Sequence, residues 1–426
     1  MEILNYLLSI IIVLLSLVMS IRVFRSGRLT YWSGVQFGYS YFVGAPVLLS
    51  ALFGSIKQID VPIANMSISG GSGIYLVCAL VACFIFAIPD KYIKFRTWRF
   101  GAPVDSIRFL YYYSIFYIIF TAYGFVSSGK LSGGHWYSSH GEAMQGDAVA
   151  VALLQIKNVM RFTLPFLLLF YRKNYRISHA AFACSLLAIS VLELIVSGNR
   201  IITLTCIIAY ALAYRTIPAR SYVILLLAAP IIVQANSIFP IVRGMMWSDG
   251  LSYQQMSYAV KAANGHLGTA EGRDIQLMLS SSFEASNLNM ANMVVDSYPS
   301  KYDYLMGDTF VVRPLTFYLP KAIWPDRPEG FGLTLGRLSG LNVDGIALNS
   351  TYIGEAYANF GPLSVFLLPL ILWGLSNIFR AFDSEAVQSM AFAVGFAGWR
   401  FDLVFSVVAF LTFLAIWQIS KLRVRR

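Results

Sequence analysis

Apolar residues along this chain come in long unbroken blocks rather than at a helical or strand period. Crossing the hydrocarbon core of a bilayer takes about 20 apolar residues in a helix. Eleven blocks approach or reach that length: 3–20, 32–53, 73–89, 107–127, 150–170, 178–196, 201–214, 221–239, 361–379, 386–399 and 403–419. The pattern predicts an all-α polytopic membrane protein with about eleven transmembrane helices. Residues 1–239 hold spans one to eight, 240–360 form one large external segment, and 361–426 hold the last three spans with a basic tail. The first block begins at Glu2 with no basic cluster, and Arg22, Arg25 and Arg28 follow it. It therefore reads as a retained span with its N-terminus outside, not as a cleaved leader.

Composition agrees. Of 426 residues, 57% are hydrophobic and 12% charged, with a mean hydropathy of +0.64, whereas a soluble domain carries roughly 25% charged residues. A secreted enzyme, a nucleic-acid reader and a disordered scaffold are all excluded, despite the formal charge of +11. The position of that charge decides its meaning. With the N-terminus outside, the inside segments are 21–31, 90–108, 171–177, 215–220, 380–385 and 420–426, and they hold 18 of the 32 Lys and Arg residues. The four short outside segments hold one each: Lys57, Lys130, Arg200 and Arg400. Basic residues gather on the cytoplasmic side of membrane proteins, so the excess faces cytosol and anionic headgroups. Residues 386–419 are interrupted only by Arg400 and Asp402. Two short spans are preferred there to one, because Lys421, Arg423, Arg425 and Arg426 form a basic end that belongs inside.

Cys78, Cys83, Cys184 and Cys206 all fall in predicted spans, where thiols behave as small apolar groups. Neither a disulfide nor a metal site is expected. His135 and His140 share an outside loop without a Cys or carboxylate pattern, and read as solvated.

The 240–360 segment is far longer than a usual connection, and it keeps aromatics and helix-compatible runs such as 275–295. Within it, 313–332 (RPLTFYLPKAIWPDRPEGFG) carries Pro314, Pro320, Pro325 and Pro328, which fix backbone dihedrals and forbid an uninterrupted helix. Arg313, Lys321, Asp326 and Arg327 are then presented from a stiff backbone. Guanidinium groups fork onto phosphate oxygens, so the run suits a diphosphate; a proline-braced surface loop is the plainer alternative. In 349–361 (NSTYIGEAYANFG), Ser350, Gly354 and Ala358 form a small-residue stripe that admits a neighbouring helix. Glu355 and Asn359 share a face. A carboxylate at the mouth of a span is costly unless it faces protein or water, which leaves an ion-pair partner or a general base.

Lys157 and Arg161 lie one turn apart inside the fifth span, and Glu193 reaches a comparable depth in the sixth, just before SGNR with Arg200. Glu193 is expected to neutralise Lys157 or Arg161 in part, leaving positive charge to attract a phosphate-bearing ligand. The chain has no HExxH, P-loop, DxD pair or GxSxG elbow.

On layout, on SGNR at 197–200, on PKAIWPDRP at 320–328 and on NSTYIGEAYANFG at 349–361, the chain resembles the oligosaccharide repeat-unit polymerases of bacterial surface-polysaccharide assembly, the O-antigen polymerase or Wzy family. An Arg-x10-Gly pattern seen in one subgroup is not met from Arg313 or Arg327. The resemblance implies a GT-C-like membrane glycosyltransferase of the bacterial inner membrane, facing the periplasm and needing no cofactor. Its substrates would be undecaprenyl diphosphate-linked oligosaccharides, and a chain-length regulator would be its partner. It further implies Arg200, Arg243, Arg313 and Arg327 as diphosphate ligands with Lys157 and Arg161 behind them, Lys321 and Asn359 as further substrate contacts, and Glu355, then Asp326, as base. A flippase for lipid-linked sugars, an O-antigen ligase and, more remotely, a membrane acyltransferase remain the competing readings. The long external segment and the lack of an internal repeat count against the flippase.

Overall fold

The computed structural model describes residues 2–54, 71–89, 100–101, 107–127, 148–197, 199–213, 274–319, 323–339 and 348–424, with a few isolated positions between 239 and 269. These residues are all-α apart from one two-residue parallel pairing, Phe100–Gly101 with Phe382–Asp383. Among them, three stretches are long and apolar enough to cross a membrane: Ile3–Ser26, Tyr31–Phe53 and Thr351–Arg380. Four shorter apolar helices, Gly73–Phe86, His179–Leu194, Arg200–Ala213 and Leu403–Ile416, accompany them. Each described block thus forms a helix, while block 221–239, apart from Phe239, lies outside the described residues.

The elements run in order as follows: α1 (Glu2–Ser26), α2 (Tyr31–Tyr39), α3 (Ala45–Phe53), α4 (Gly71–Phe86), α5 (Ile107–Ser127), α6 (Ala148–Tyr175), α7 (His179–Ser197) and α8 (Arg200–Ala213). Then come α9 (Ile275–Ser282), α10 (Ser286–Ser297), the short α11 (Arg313–Thr316), α12 (Phe331–Leu338), α13 (Thr351–Phe360), α14 (Ser364–Arg380), α15 (Glu385–Ala397) and α16 (Leu403–Val424). A π-turn at Ser40–Gly44 joins α2 to α3 without breaking the span, a local widening of the kind that relieves strain inside a helix.

α15 is the centre. Its sequence, EAVQSMAFAVGFA, is rich in small residues, and every residue from Ala386 to Ala397 except Gln388 is buried. Small residues let backbones approach where lipid offers no hydrophobic drive between helices. A Cβ on Gly34 would run into the Phe392 carbonyl, and one on Gly395 into the Tyr31 carbonyl, so α2 and α15 meet backbone to backbone. On its other side, Phe392 lies 5.0 Å from the Phe166 ring of α6. Trp399, just beyond α15, donates its indole N–H to the Val35 carbonyl at 2.9 Å and packs on Tyr39, Phe86 and Tyr352. The periphery is the reverse: α1 and α5 leave Ile3, Leu4, Leu7, Ile107, Phe116 and Ile118 exposed, as lipid-facing helices do.

The structure redraws the last third of the chain. Sequence pattern divides 240–360 from a span beginning at 361, but α13 continues through one 3-10 turn at Gly361–Leu363 into α14. α10 packs against α13, α4 and α3, and its Leu288, Met290, Ala291 and Val294 belong to the same core as the apolar helices. Most of the described part of the external segment is therefore built onto the bundle.

Segments that sequence pattern assigns to one side also meet. Outside segments join where Arg200 reaches Ser281, Arg400 reaches Glu284 and Arg313 reaches Asp402. Inside segments join where Thr30, Asn174, Arg380 and Ser384 line one cavity of about 850 Å³.

Candidate functional site

Three charged groupings emerge, and they divide the residues singled out from sequence. The first is built on α13. Glu355 is 4% exposed, and its Oε1 is buried without a hydrogen-bond partner. Thr309 stands beside its carboxylate, with Asp402 and Arg313 close enough to act on it electrostatically. One turn on, Asn359 is fully buried; its Nδ2 donates to Thr309 Oγ1 and to the Glu355 carbonyl, each at 2.8 Å, and its Oδ1 is unpartnered. A Cβ on Gly354 would run into the Ser350 side chain at 2.6 Å and would only touch the Ala291 Cα of α10, at 3.4 Å; α10 and α13 do pack on each other, as a small-residue stripe predicts. Thr351, the first residue of α13, takes a φ of +63°, a conformation that a β-branched residue resists and that tends to collect at functional positions.

Arg313 opens α11 after the π-turn at Asp308–Val312. Its Nε lies 3.6 Å from Asp402 Oδ2, and its Nη1 donates to the Pro328 carbonyl at 2.9 Å. Gly330 leaves room for that guanidinium, since a Cβ there would stand 3.1 Å from Nη2. Arg327 donates to the Phe317 carbonyl at 2.7 Å and to that of Leu319. Burial lowers its pKa from the usual arginine value, and the charge of Arg313 lowers it further, so the two guanidiniums are near neighbours. Burial also holds the Asp402 carboxyl above the ordinary carboxylate range, against the pull of Arg313 and of the N–H groups of Phe405 and Val404 at the start of α16. Glu355, Asn359, Arg313 and Arg327 thus come together, with Asp402 and Thr309 added to them. Asp326 sits on an exposed turn.

The second grouping lies between α5, α6 and α7. Arg161 Nη1 is 3.7 Å from Glu193 Oε2, and the Tyr117 hydroxyl donates to Glu193 Oε1 at 2.8 Å. Glu193 is fully buried, and Lys157 and Arg161 are buried with it. The expected neutralisation by Glu193 is present, directed at Arg161. Arg161 Nε has no partner, and its guanidinium lies over the Phe162 ring.

Arg200 belongs to a third grouping, not to the second. Its Nη1 donates to Ser281 Oγ at 2.7 Å, beside the turn where Glu284, at a φ of +50°, pairs with Arg400. Tyr41 donates to the Ser282 carbonyl at 2.6 Å and lies within the influence of both guanidiniums.

Arg243 and Lys321 lie outside the described residues, as do His135 and His140. Sequence reasoning passed over Asp402, Thr309, Arg400, Glu284 and Tyr117. The signal for Asp402 and Arg400 was available, since they are the only charges in the turn between two apolar blocks. No group of three or more His, Cys, Asp and Glu among the described residues is arranged to hold a metal, and Cys78, Cys83, Cys184 and Cys206 are free thiols. Comparison with family models, with curated proteins and with solved structures finds no match for the chain.

Proposed function

We propose that this protein is a membrane glycosyltransferase that polymerises undecaprenyl diphosphate-linked oligosaccharide repeat units into a surface polysaccharide. In this reading it is a GT-C-like, eleven-span protein of the bacterial inner membrane, with the 240–360 segment facing the periplasm.

The observation that supports the reading is the first grouping: a buried carboxylate oxygen without a partner, within the influence of the Arg313 guanidinium, which has Arg327 as its neighbour, at the end of the bundle where the outside segments gather. Glycosyl transfer from a lipid diphosphate needs those two functions. The acceptor hydroxyl loses its proton to Glu355 as its oxygen bonds to the donor's anomeric carbon. The bond from that carbon to the diphosphate oxygen breaks, and the lipid diphosphate leaves with the electron pair. Arg313 and Arg327 stabilise the charge that develops on it. Their N–H groups are only partly used by loop carbonyls, and Nε of each makes no hydrogen bond.

Deletion in the native host followed by electrophoresis of surface glycolipid tests the proposal. Loss of the polymer ladder with one repeat unit still attached is the expected result. Loss of every attached unit would instead identify a ligase or a flippase, and an unchanged ladder would remove all three.

A further inference from the structure

The described residues also enclose a cavity without charge. It measures about 300 Å³ and sits between the starts of α1 and α4 and the end of α3, with Leu288 and Asn292 of α10 closing it. Asn5, Ser50, Tyr75 and Asn292 give it a polar lining; Val47, Leu76 and Leu288 give it an apolar one. Among the described residues, no Lys, Arg, Asp or Glu lines it.

Two of its polar side chains have unsatisfied atoms. Tyr75 is 1% exposed, yet its hydroxyl makes no hydrogen bond of acceptable geometry, although Thr351 stands beside it. Asn292 Oδ1 is buried without a partner as well. Proteins pair nearly all buried polar groups, and an unmet one calls for an explanation. An alkyl chain would leave both as they are, and an ion would meet no countercharge. An uncharged sugar ring supplies donors and acceptors at its hydroxyls and an apolar C–H face for the leucines. The volume lies at the lower end of ligand pockets, roughly 300–1,000 Å³, which suits one ring. At the rim, Tyr6 is held by its bond to the Ala51 carbonyl at 2.8 Å and offers an amphipathic ring to stack against.

One lining residue, Tyr75, reaches α13. Thr351, beside Tyr75, precedes Glu355 by one helical turn, about 6 Å along the axis. Asn292 adjoins Ala291, whose Cα faces Gly354 of α13.

We propose that this cavity is a subsite for one uncharged pyranose of the glycan, with Tyr75 linking it to the start of α13. The assignment rests on the polymerase reading for the source of the glycan.

The test uses the full chain in nanodiscs of phosphatidylethanolamine and phosphatidylglycerol. The probe is the repeat-unit oligosaccharide released from the host's lipid-linked units by mild acid. The oligosaccharide should raise the melting temperature of the wild type. Tyr75→Phe and Asn292→Leu should each weaken that effect at least tenfold in concentration while keeping the unliganded melting temperature, because neither the Tyr75 hydroxyl nor Asn292 Oδ1 has a hydrogen bond to lose. A group serving the fold would lower it. Equal response in wild type and both variants overturns the subsite, as does a wild type that ignores the oligosaccharide. Displacement of the sugar by dodecane, with both variants unaffected, gives the cavity to an acyl chain and also overturns it. Failure of the polymerase reading is seen separately, as an unchanged ladder in the deletion strain.

Discussion

Arg313 Nε stands 3.6 Å from Asp402 Oδ2, which ties the start of α11 to the turn before the last helix. The same guanidinium holds the Pro328 carbonyl, so one side chain braces a proline-rich loop against a helix N-terminus while keeping its place beside Glu355. Arginine suits both tasks because its planar fork presents several donors in fixed directions.

Arg313→Lys should therefore fail where a point charge would suffice. An ammonium keeps the charge but not the simultaneous reach to Asp402 and Pro328. We expect loss of most polymer in Arg313→Lys and all of it in Arg313→Met, with a stability cost of about 1–3 kcal/mol for the lost bonds. Ladder length and immunoblotted protein level, read together, separate the two effects; wild-type ladders from Arg313→Lys would reduce the residue to a countercharge.

Glu355→Gln separates catalysis from folding in the opposite direction. Burying a carboxylate with an unpartnered oxygen costs more than burying a neutral amide of the same shape. The variant should melt no lower than the wild type, and polymer synthesis should fall by a factor on the order of 100 or more, as expected for removal of a general base. A variant that is less stable yet active would mark Glu355 as a structural countercharge.

The elements legible in the sequence were those that need no partner to explain them. A block such as 3–20 declares a helix because the bilayer sets its length, and the stripe at Ser350, Gly354 and Ala358 declares a close helix neighbour, found in Ala291. The facing of Glu355 and Asn359 followed from their spacing. What stayed hidden were pairings between distant segments: Arg313 with Asp402, Arg400 with Glu284, Arg200 with Ser281. Nothing in local pattern fixes them. The run 275–295 is legible as helix-compatible, but not the burial of Asn287 and Asn289 with the apolar face of α10.

The Arg161 to Glu193 pair yields a third expectation. Both groups are buried, the Tyr117 hydroxyl also donates to the carboxylate, and Lys157 lies within its influence. Removing one member of a buried pair strands the other, at a cost of about 3–5 kcal/mol, whereas replacing both with apolar residues is often neutral. Glu193→Leu, which strands Arg161 and Lys157, should lower the melting temperature sharply, and Glu193→Leu with Lys157→Met and Arg161→Met should recover most of it. If the triple variant is stable and still makes polymer, the cluster holds helices together; if it is stable and inactive, Lys157 or Arg161 takes part in substrate binding.

Orientation is the last expectation, and the one on which the chemistry depends. Segments that sequence pattern assigns to the outside meet one another, as do those it assigns to the inside, so one accessible residue from each set decides the matter. Met306, in the 240–360 segment, is 83% exposed, and Lys173, in the 171–177 segment, lies exposed 4.0 Å from Glu385. In a Cys184→Ser background, which removes the exposed native thiol, Met306→Cys should react with an impermeant maleimide in cells whose outer membrane alone has been permeabilised. Lys173→Cys should react only after the inner membrane is opened. A sugar donor outside the cytosol arrives already attached to a lipid, because soluble nucleotide sugars do not reach that side. Protection of Met306→Cys would place Glu355 and the guanidiniums on the nucleotide-sugar side, and transfer between lipid-linked units would lose its physical basis.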